Sequence, residues 1–319
     1  MYKTYSSYLK SHFTEQVQKI SINAGFTCPN RDGSIGTGGC TYCNNRTFNP
    51  AYCKPDKSIT QQIEEGVDFF RKKYPDQRYL AYFQAYTNTY GEIIHLKQKY
   101  EEALSHPLVA GIVIGTRPDC VDDEVLDYFA YVSKRFYVMI EYGVESTSDK
   151  TLALINRGHD YETSVRAIVK TAQRGVAAGA HLILGLPEED METILSHAKN
   201  ISSLPLTTVK LHQLQLIKGT KMAQEFAEHP EKFHIYSVEE YIDLVIRFIE
   251  HLNPDFVIER FVSQSPKELL IAPDWGLKNY EFTAKIEKEL RRRNTFQGRL
   301  FSAYDRYSQG TIKSLRYRR

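Results

Sequence analysis

Three cysteines sit in one glycine-rich stretch: Cys28, then Cys40 and Cys43 as a Cys-x2-Cys pair, with eleven residues between the first and the second. Thiolates at that density bind soft or borderline metals. Gly33, Gly36, Gly38 and Gly39 permit the positive-φ turns that curl a backbone round a metal group and aim N–H donors at its sulfurs. Spacing alone leaves two metals open. Cys53 lies ten residues past Cys43, so four cysteines could close a tetrahedral zinc site, whereas three thiolates on a four-iron cubane leave one iron free for a ligand. The long chain behind the loop favours the cluster, because a zinc ribbon is usually a small appendage. A disulfide framework ranks far behind both.

A loop of this kind needs a platform. The stretch 17–24 reads as a strand that runs straight into the cysteines, so they follow a strand's C-terminal end. Beyond them, helical patterns near 58–74, 91–105, 122–134, 163–178, 191–204 and 238–252 alternate with apolar strands at 78–86, 109–115, 136–143, 180–186, 208–216 and 256–261. Repeated βα units with near-continuous apolar strands predict a parallel sheet with right-handed crossovers, open or closed as a barrel. Tyr2, Tyr5, Tyr8, Leu9 and Phe13 predict an N-terminal helix over 2–15, packed on the barrel or at its mouth.

Polar residues recur in or just after these strands: Gln84, Thr116, Arg117, Glu141, Glu145, His181, Lys210, His212, Gln213, Gln215, Glu259 and Arg260. In a closed parallel barrel such strand ends converge on one mouth, where active sites are built. A single Gln or Lys of this kind is more often an ordinary solvent-facing residue. Polar groups in almost every strand each need a buried partner, which a shared site supplies.

The 319 residues carry a net charge of +2, with 42% hydrophobic and 25% charged content, the composition of an ordinary globular protein. No apolar run approaches the roughly 20 residues of a membrane span, and the N-terminus has no signal-peptide core, so a cytoplasmic protein with reduced thiols is expected. Charge is concentrated at the C-terminal end. From Arg291 onward nine basic residues face one acid, Asp305, with Phe296, Phe301, Tyr304, Tyr307 and Tyr317 interleaved. That composition suits a surface that contacts phosphates and stacks on bases, and it also suits a solvated basic tail.

Taken together, these motifs resemble the radical S-adenosylmethionine (radical SAM) superfamily, in the branch of the YhcC- and YtqA-type proteins and the elongator catalytic subunit. The resemblance rests on Ala24-Gly-Phe-Thr-Cys-Pro-Asn-Arg-Asp-Gly33 and Gly38-Gly-Cys-Thr-Tyr-Cys43 and spans nearly the whole chain. The long first cysteine gap departs from the usual superfamily spacing and matches this branch. The resemblance implies an α/β fold, a partial (β/α)6 TIM-like barrel with an N-terminal helix and a C-terminal extension. It divides the chain into a barrel over 1–255, with its cluster loop at 26–46, and a basic extension over 256–319 that could contact tRNA.

The same resemblance implies that Cys28, Cys40 and Cys43 hold a [4Fe–4S] cluster, and that SAM binds its open iron and is cleaved to a 5′-deoxyadenosyl radical. SAM contacts then fall on Tyr42 at the adenine, Gln84 near the methionyl amine, Arg117 in Gly115-Thr-Arg-Pro-Asp119, and Glu145 in Gly143-Val-Glu-Ser146. Arg157 in Asn156-Arg-Gly-His159 would face a carboxylate, and Leu184 and Gly185 in His181-Leu-Ile-Leu-Gly-Leu-Pro187 would face the adenine. Gln84 stands where the superfamily usually has Gly-Gly-Glu. Cys53 is expected to be structural and Cys120 a buried small hydrophobe. The implied partners are tRNA and a reductant such as flavodoxin or ferredoxin. The implied reaction takes a wobble carboxymethylaminomethyl uridine to an aminomethyl uridine, and Lys210, Arg260 and Lys278 are candidate partners for the substrate carboxylate. Two other readings stay open: a radical SAM enzyme with a small-molecule or protein substrate, and a zinc-stabilised RNA-binding protein.

Overall fold

The computed structural model describes residues 1–47, 49–71 and 76–302. In order they form β1 (Lys3–Thr4), α1 (Tyr5–His12), β2 (Gln16–Ile22), α2 (Ile59–Arg71), β3 (Gln77–Phe83), α3 (Ile93–Ser105), β4 (Val109–Thr116), α4 (Asp123–Val132), β5 (Tyr137–Glu145) and α5 (Asp149–Leu154). There follow α6 (Tyr161–Gln173), β6 (Ala177–Leu184), α7 (Met191–Ser202), β7 (Thr208–Gln213), β8 (Leu216–Ile217), α8 (Lys221–Glu228), α9 (Val238–His251), β9 (Val257–Arg260), β10 (Leu270–Ala272) and α10 (Asn279–Arg292).

Eight strands form one parallel sheet in the order β1-β9-β7-β6-β5-β4-β3-β2, curled into a partial barrel of the predicted α/β class. Helices line its outer face because every other strand residue points there. Ile20, Ile22, Phe83, Ile112, Ile114, Ile140, Leu182, Leu184, Val209 and Leu211 are fully buried against α2, α3, α4, α6, α7 and α9 in one continuous core. Asp122, Asp160 and Asp190 start α4, α6 and α7, each accepting an amide hydrogen bond, from Val125, Thr163 and Thr193 at 2.8, 2.9 and 2.8 Å. Each cap satisfies one orphan N–H of the first turn.

The barrel interior is layered. Near the strand starts Leu80, Tyr82, Val113 and Met139 form a small apolar plug, against which Tyr8, Leu9 and Phe13 pack from α1 and its exit. The N-terminal helix, shorter than the predicted 2–15, therefore closes the end opposite the mouth, because its apolar face meets the apolar strand starts. Above the plug lies a belt of charge, with Lys19, Glu141, Lys210 and Glu259 in mutual contact. The mouth above the belt holds the cysteine loop.

Several elements were not legible beforehand. β1 has two residues and pairs with β9, over 250 residues away in sequence, and β8 pairs antiparallel with β10. The short helices α5 and α8 fall in stretches to which the sequence pattern assigned no element. β9, assigned by sequence to the extension, lies in the sheet between β7 and β1.

Candidate active site

The cysteine loop is clamped to the turn between α5 and α6. The Thr41 amide donates to the Ile155 carbonyl at 3.0 Å, Asn156 Nδ2 donates to the Gly39 carbonyl at 2.9 Å, and Asn30 Nδ2 donates to the Asn156 carbonyl at 2.5 Å. This turn also places Arg157, whose Nη1 lies 3.5 Å from Cys40 Sγ and whose Nη2 donates to the Gly143 carbonyl. Gly143 is required for that approach: a Cβ there would stand 2.8 Å from Arg157 Nη2 and 2.5 Å from Glu145 Oε1. Gly39, at φ +79°, likewise leaves room for the Arg31 guanidinium, which would lie within 2.8 Å of a Cβ.

N–H donors converge on the sulfurs. Asn30 Nδ2 is 3.7 Å from Cys40 Sγ, Asn45 Nδ2 is 3.6 Å from Cys43 Sγ, and Arg31 Nη2 donates to the Cys43 carbonyl at 2.9 Å. Burial and the neighbouring Cys40 push the Cys43 thiol above its ordinary range. Such donors stabilise thiolate and sulfide charge once a metal group binds. Among the described residues no three His, Cys, Asp or Glu side chains are already gathered round a single ion. A cubane asks for something else, since each of its thiolates takes a different iron.

One cavity collects Cys28, Cys40 and Cys43 with Tyr42, Gln84, Arg117, Glu145 and Arg157. Tyr42 packs against the apolar cluster that contains Ile155, Ile183 and Leu214, and burial followed by the Glu145 charge holds its phenol well above its ordinary value. Burial likewise raises the Glu145 carboxyl, although Arg157 Nη2 lies 3.9 Å away. Arg117 forms a fork to Asp119 at 2.9 and 2.7 Å and donates to the Arg157 carbonyl at 2.8 Å. Gln84 accepts from Ser21 Oγ at 3.4 Å.

Leu184 and Gly185 do not join them. Leu184 is fully buried on the helix side of the sheet, and Gly185 is backed by the Tyr236 ring. Their neighbour Ile183 lines the cavity instead, because alternation along β6 turns it and His181 inward. Of the expected carboxylate partners, Arg260 lines the cavity, whereas Lys210 lies in the charged belt below and Lys278 caps α10 away from it. Cys53 and Cys120 are also absent from its lining. Cys53 is buried with its thiol 3.8 Å from Asn49 Oδ1, and burial pushes both thiols up to about 12. The four-cysteine zinc reading needs Cys53 beside the other three, and here it faces elsewhere.

Sequence reasoning passed over Asn30, Arg31 and Lys19. The first two lie two and three residues past the first cysteine, and Lys19 is the one charged residue of β2, on its inward-facing parity, which was the available signal. Lys19 Nζ lies 2.7 Å from Glu141 and 2.8 Å from Glu259, and Lys210 Nζ lies 2.5 Å from Glu141 and 3.0 Å from Glu259. Burial alone would raise the Glu141 carboxyl, but Lys19 and Lys210 outweigh it and hold it well below the carboxylate range. Burial lowers Lys210 to about 8.

All four arginines of the cavity keep a buried N–H with no protein partner among the described residues: Arg31 Nε, Arg117 Nη1, Arg157 Nε and Arg260 Nε. Orphaned guanidinium donors beside three thiols fit an anionic iron–sulfur cluster and a carboxylate-bearing cofactor. The basic C-terminal stretch is less available than its composition suggests. Arg292 and Arg293 pair with Glu289, Arg293 also with Asp243, and Arg299 with Glu250. Arg306, Lys313, Arg316, Arg318 and Arg319, with Tyr304, Tyr307 and Tyr317, lie outside the described residues.

Comparison with known proteins agrees with this geometry. Residues 27–201 match the Radical SAM superfamily and residues 206–292 the Radical_SAM C-terminal domain. The chain is 34% identical to the uncharacterized protein YtqA of Bacillus subtilis, over 96% of this chain and 95% of that one. It is 36% identical to protein YhcC of Escherichia coli K12, over 88% and 90%. A tRNA uridine(34) acetyltransferase of Methanocaldococcus infernus is 29% identical over half of this chain and 29% of its own length. The solved Methanocaldococcus infernus Elp3 shares the fold, with a TM-score of 0.67 at 16% identity, covering 89% of this chain and 64% of that one. With its three cysteines, barrel mouth and full-length relatives in agreement, the chain belongs to the radical SAM superfamily, in the branch of YtqA and YhcC.

Proposed function

We propose that this enzyme uses the [4Fe–4S] cluster and SAM of its superfamily to modify the wobble uridine of tRNA, taking a carboxymethylaminomethyl group to an aminomethyl group. Bound together, the two cofactors supply a carbon-centred radical that abstracts a hydrogen atom. The protein's part is placement. Cys28, Cys40 and Cys43 would hold the cluster, Arg157 and Asn30 point donors at Cys40, and Tyr42, Gln84, Glu145 and Arg117 in the same cavity would contact SAM. The substrate C–H beside both the amine and the carboxylate would break homolytically, its hydrogen passing to the deoxyadenosyl carbon. Loss of one further electron, to a one-electron acceptor, and of the amine proton would leave an imine, whose hydrolysis would break the C–N bond and free the aminomethyl uridine and glyoxylate.

The observation that carries this reading is the single cavity in which three thiols and four incompletely satisfied arginines face one another. The relative named for tRNA uridine(34) supports the substrate class, as does the basic, aromatic C-terminal sequence. The test is anaerobic reconstitution, iron and sulfide analysis, and a dithionite-driven assay for 5′-deoxyadenosine with and without undermodified tRNA. Release that depends on the three cysteines and rises with that tRNA supports the reading. Stoichiometric zinc without SAM cleavage overturns it, and release indifferent to tRNA points to a small-molecule or protein substrate.

A further inference from the structure

The belt beneath the mouth has an uneven charge balance. Three cations, Lys19, Lys210 and Arg260, face two carboxylates, Glu141 and Glu259. Both carboxylates are shared between the two lysines. Arg260 has no carboxylate within 4 Å among the described residues; its Nη2 donates to His212 Nε2 at 2.7 Å, and its Nε is buried without a partner. A guanidinium has only donors, so His212 accepts through Nε2 and is held as the neutral tautomer protonated at Nδ1. Burial and the Arg260 charge hold His212 well below its ordinary pKa, and burial followed by Lys210 lowers His181 to about 4, so neither ring adds charge. The surplus positive charge therefore rests on Arg260.

Strand geometry aims that charge into the cavity. The β7–β9 register shifts between Val209↔Ile258 and Lys210↔Arg260, leaving Glu259 as an extra residue. Such a bulge lets two consecutive side chains turn to the same side. Glu259 reaches the lysines, while Arg260 joins His181, His212 and Gln215 in the cavity wall.

We propose that Arg260, oriented by His212, is the subsite that binds a carboxylate on the substrate. The assignment rests on the tRNA reading above and names the group that selects the modified nucleoside. It separates Arg260 from Lys210, whose charge the belt carboxylates already use.

The test uses the reconstituted holoenzyme and two anticodon stem-loops, one bearing carboxymethylaminomethyl uridine at the wobble position and the other its uncharged amide. Binding is read by anaerobic anisotropy and turnover by 5′-deoxyadenosine release. The wild type should bind the acid loop at least about tenfold tighter than the amide, the scale of one charge-assisted hydrogen-bonded pair. Arg260→Gln should bring that ratio close to one, and Arg260→Lys should restore part of it; iron content and urea midpoint check that each variant is folded. No acid preference in the wild type overturns the subsite without needing any variant. An undiminished preference in folded Arg260→Gln overturns it as well, while leaving the tRNA reading in place. A wild type that releases 5′-deoxyadenosine with neither loop overturns the tRNA reading and the subsite together.

Discussion

At the scale of single residues, the cysteines and their donors set the expectations. Changing Cys28, Cys40 or Cys43 to Ser should abolish iron and sulfide retention after reconstitution, whereas Cys53→Ser, outside the cavity, should keep both; equal loss in all four would restore the zinc site. Arg157 touches Cys40, the Gly143 carbonyl and the neighbourhood of Glu145 at once. Arg157→Gln should lower 5′-deoxyadenosine formation by about 10–100-fold, the usual scale for a group supporting a metal ligand, and an unchanged rate would show that its contacts are incidental. The cysteines were legible because thiols so closely spaced have few other uses. Leu184 was placed one position out of phase with Ile183, and Gly185 lies just past the end of β6. A motif fixes which segment reaches the mouth, but the strand's two-residue period decides which side chain looks in.

Elements carry a different kind of expectation. Phe248 on α9 is fully buried in the main core. Phe248→Ala should cost about 3–5 kcal/mol, read as a lower urea midpoint, with the cysteine loop's donors untouched. His181 on β6 gives a pH signature. Its pKa falls to about 4 in the folded chain against 6.5 in the ordinary imidazole, burial being the main cause, so the unfolded chain takes up the extra proton between those values. Stability should then be full above about 6.5 and decline as pH falls toward 4, by up to about 3 kcal/mol from this group. His181→Gln should flatten that part of the urea-midpoint profile, and a profile identical to wild type would locate the titration elsewhere. The alternating helices and strands were readable because each βα unit repeats one apolar pattern. The β9 bulge was not, since one extra residue leaves the hydrophobic pattern intact while turning Arg260 toward the cavity.

The whole molecule adds the question of how a large polyanion is held. Three of the four basic residues in 291–302 are already engaged by acids, so sequence composition overstated what this stretch can offer. If the tail beyond residue 302 grips tRNA, deleting it removes five basic residues against one acid. The slope of log affinity against log salt should then shrink by about three to four units, with iron content preserved; an unaltered slope would assign the grip to another face. Pairing between distant ends was invisible beforehand for a simple reason. Two residues such as Lys3 and Thr4 carry no periodicity, and their partner strand is specified far along the chain.

That pairing gives the first residues an influence out of proportion to their size. β1 borders the outer side of β9, and Gln297 ties the same corner, its amide donating to the Met1 carbonyl at 2.9 Å and its Oε1 accepting from the Lys3 amide at 3.1 Å. The strand so braced is the one that presents Glu259 and Arg260. Proteolytic nicking after Thr4, or a bulky purification tag fused at Met1, would thus act on the enzyme's choice of substrate and not on its capacity to hold iron. A preparation could look fully loaded by colour and still have lost its selectivity.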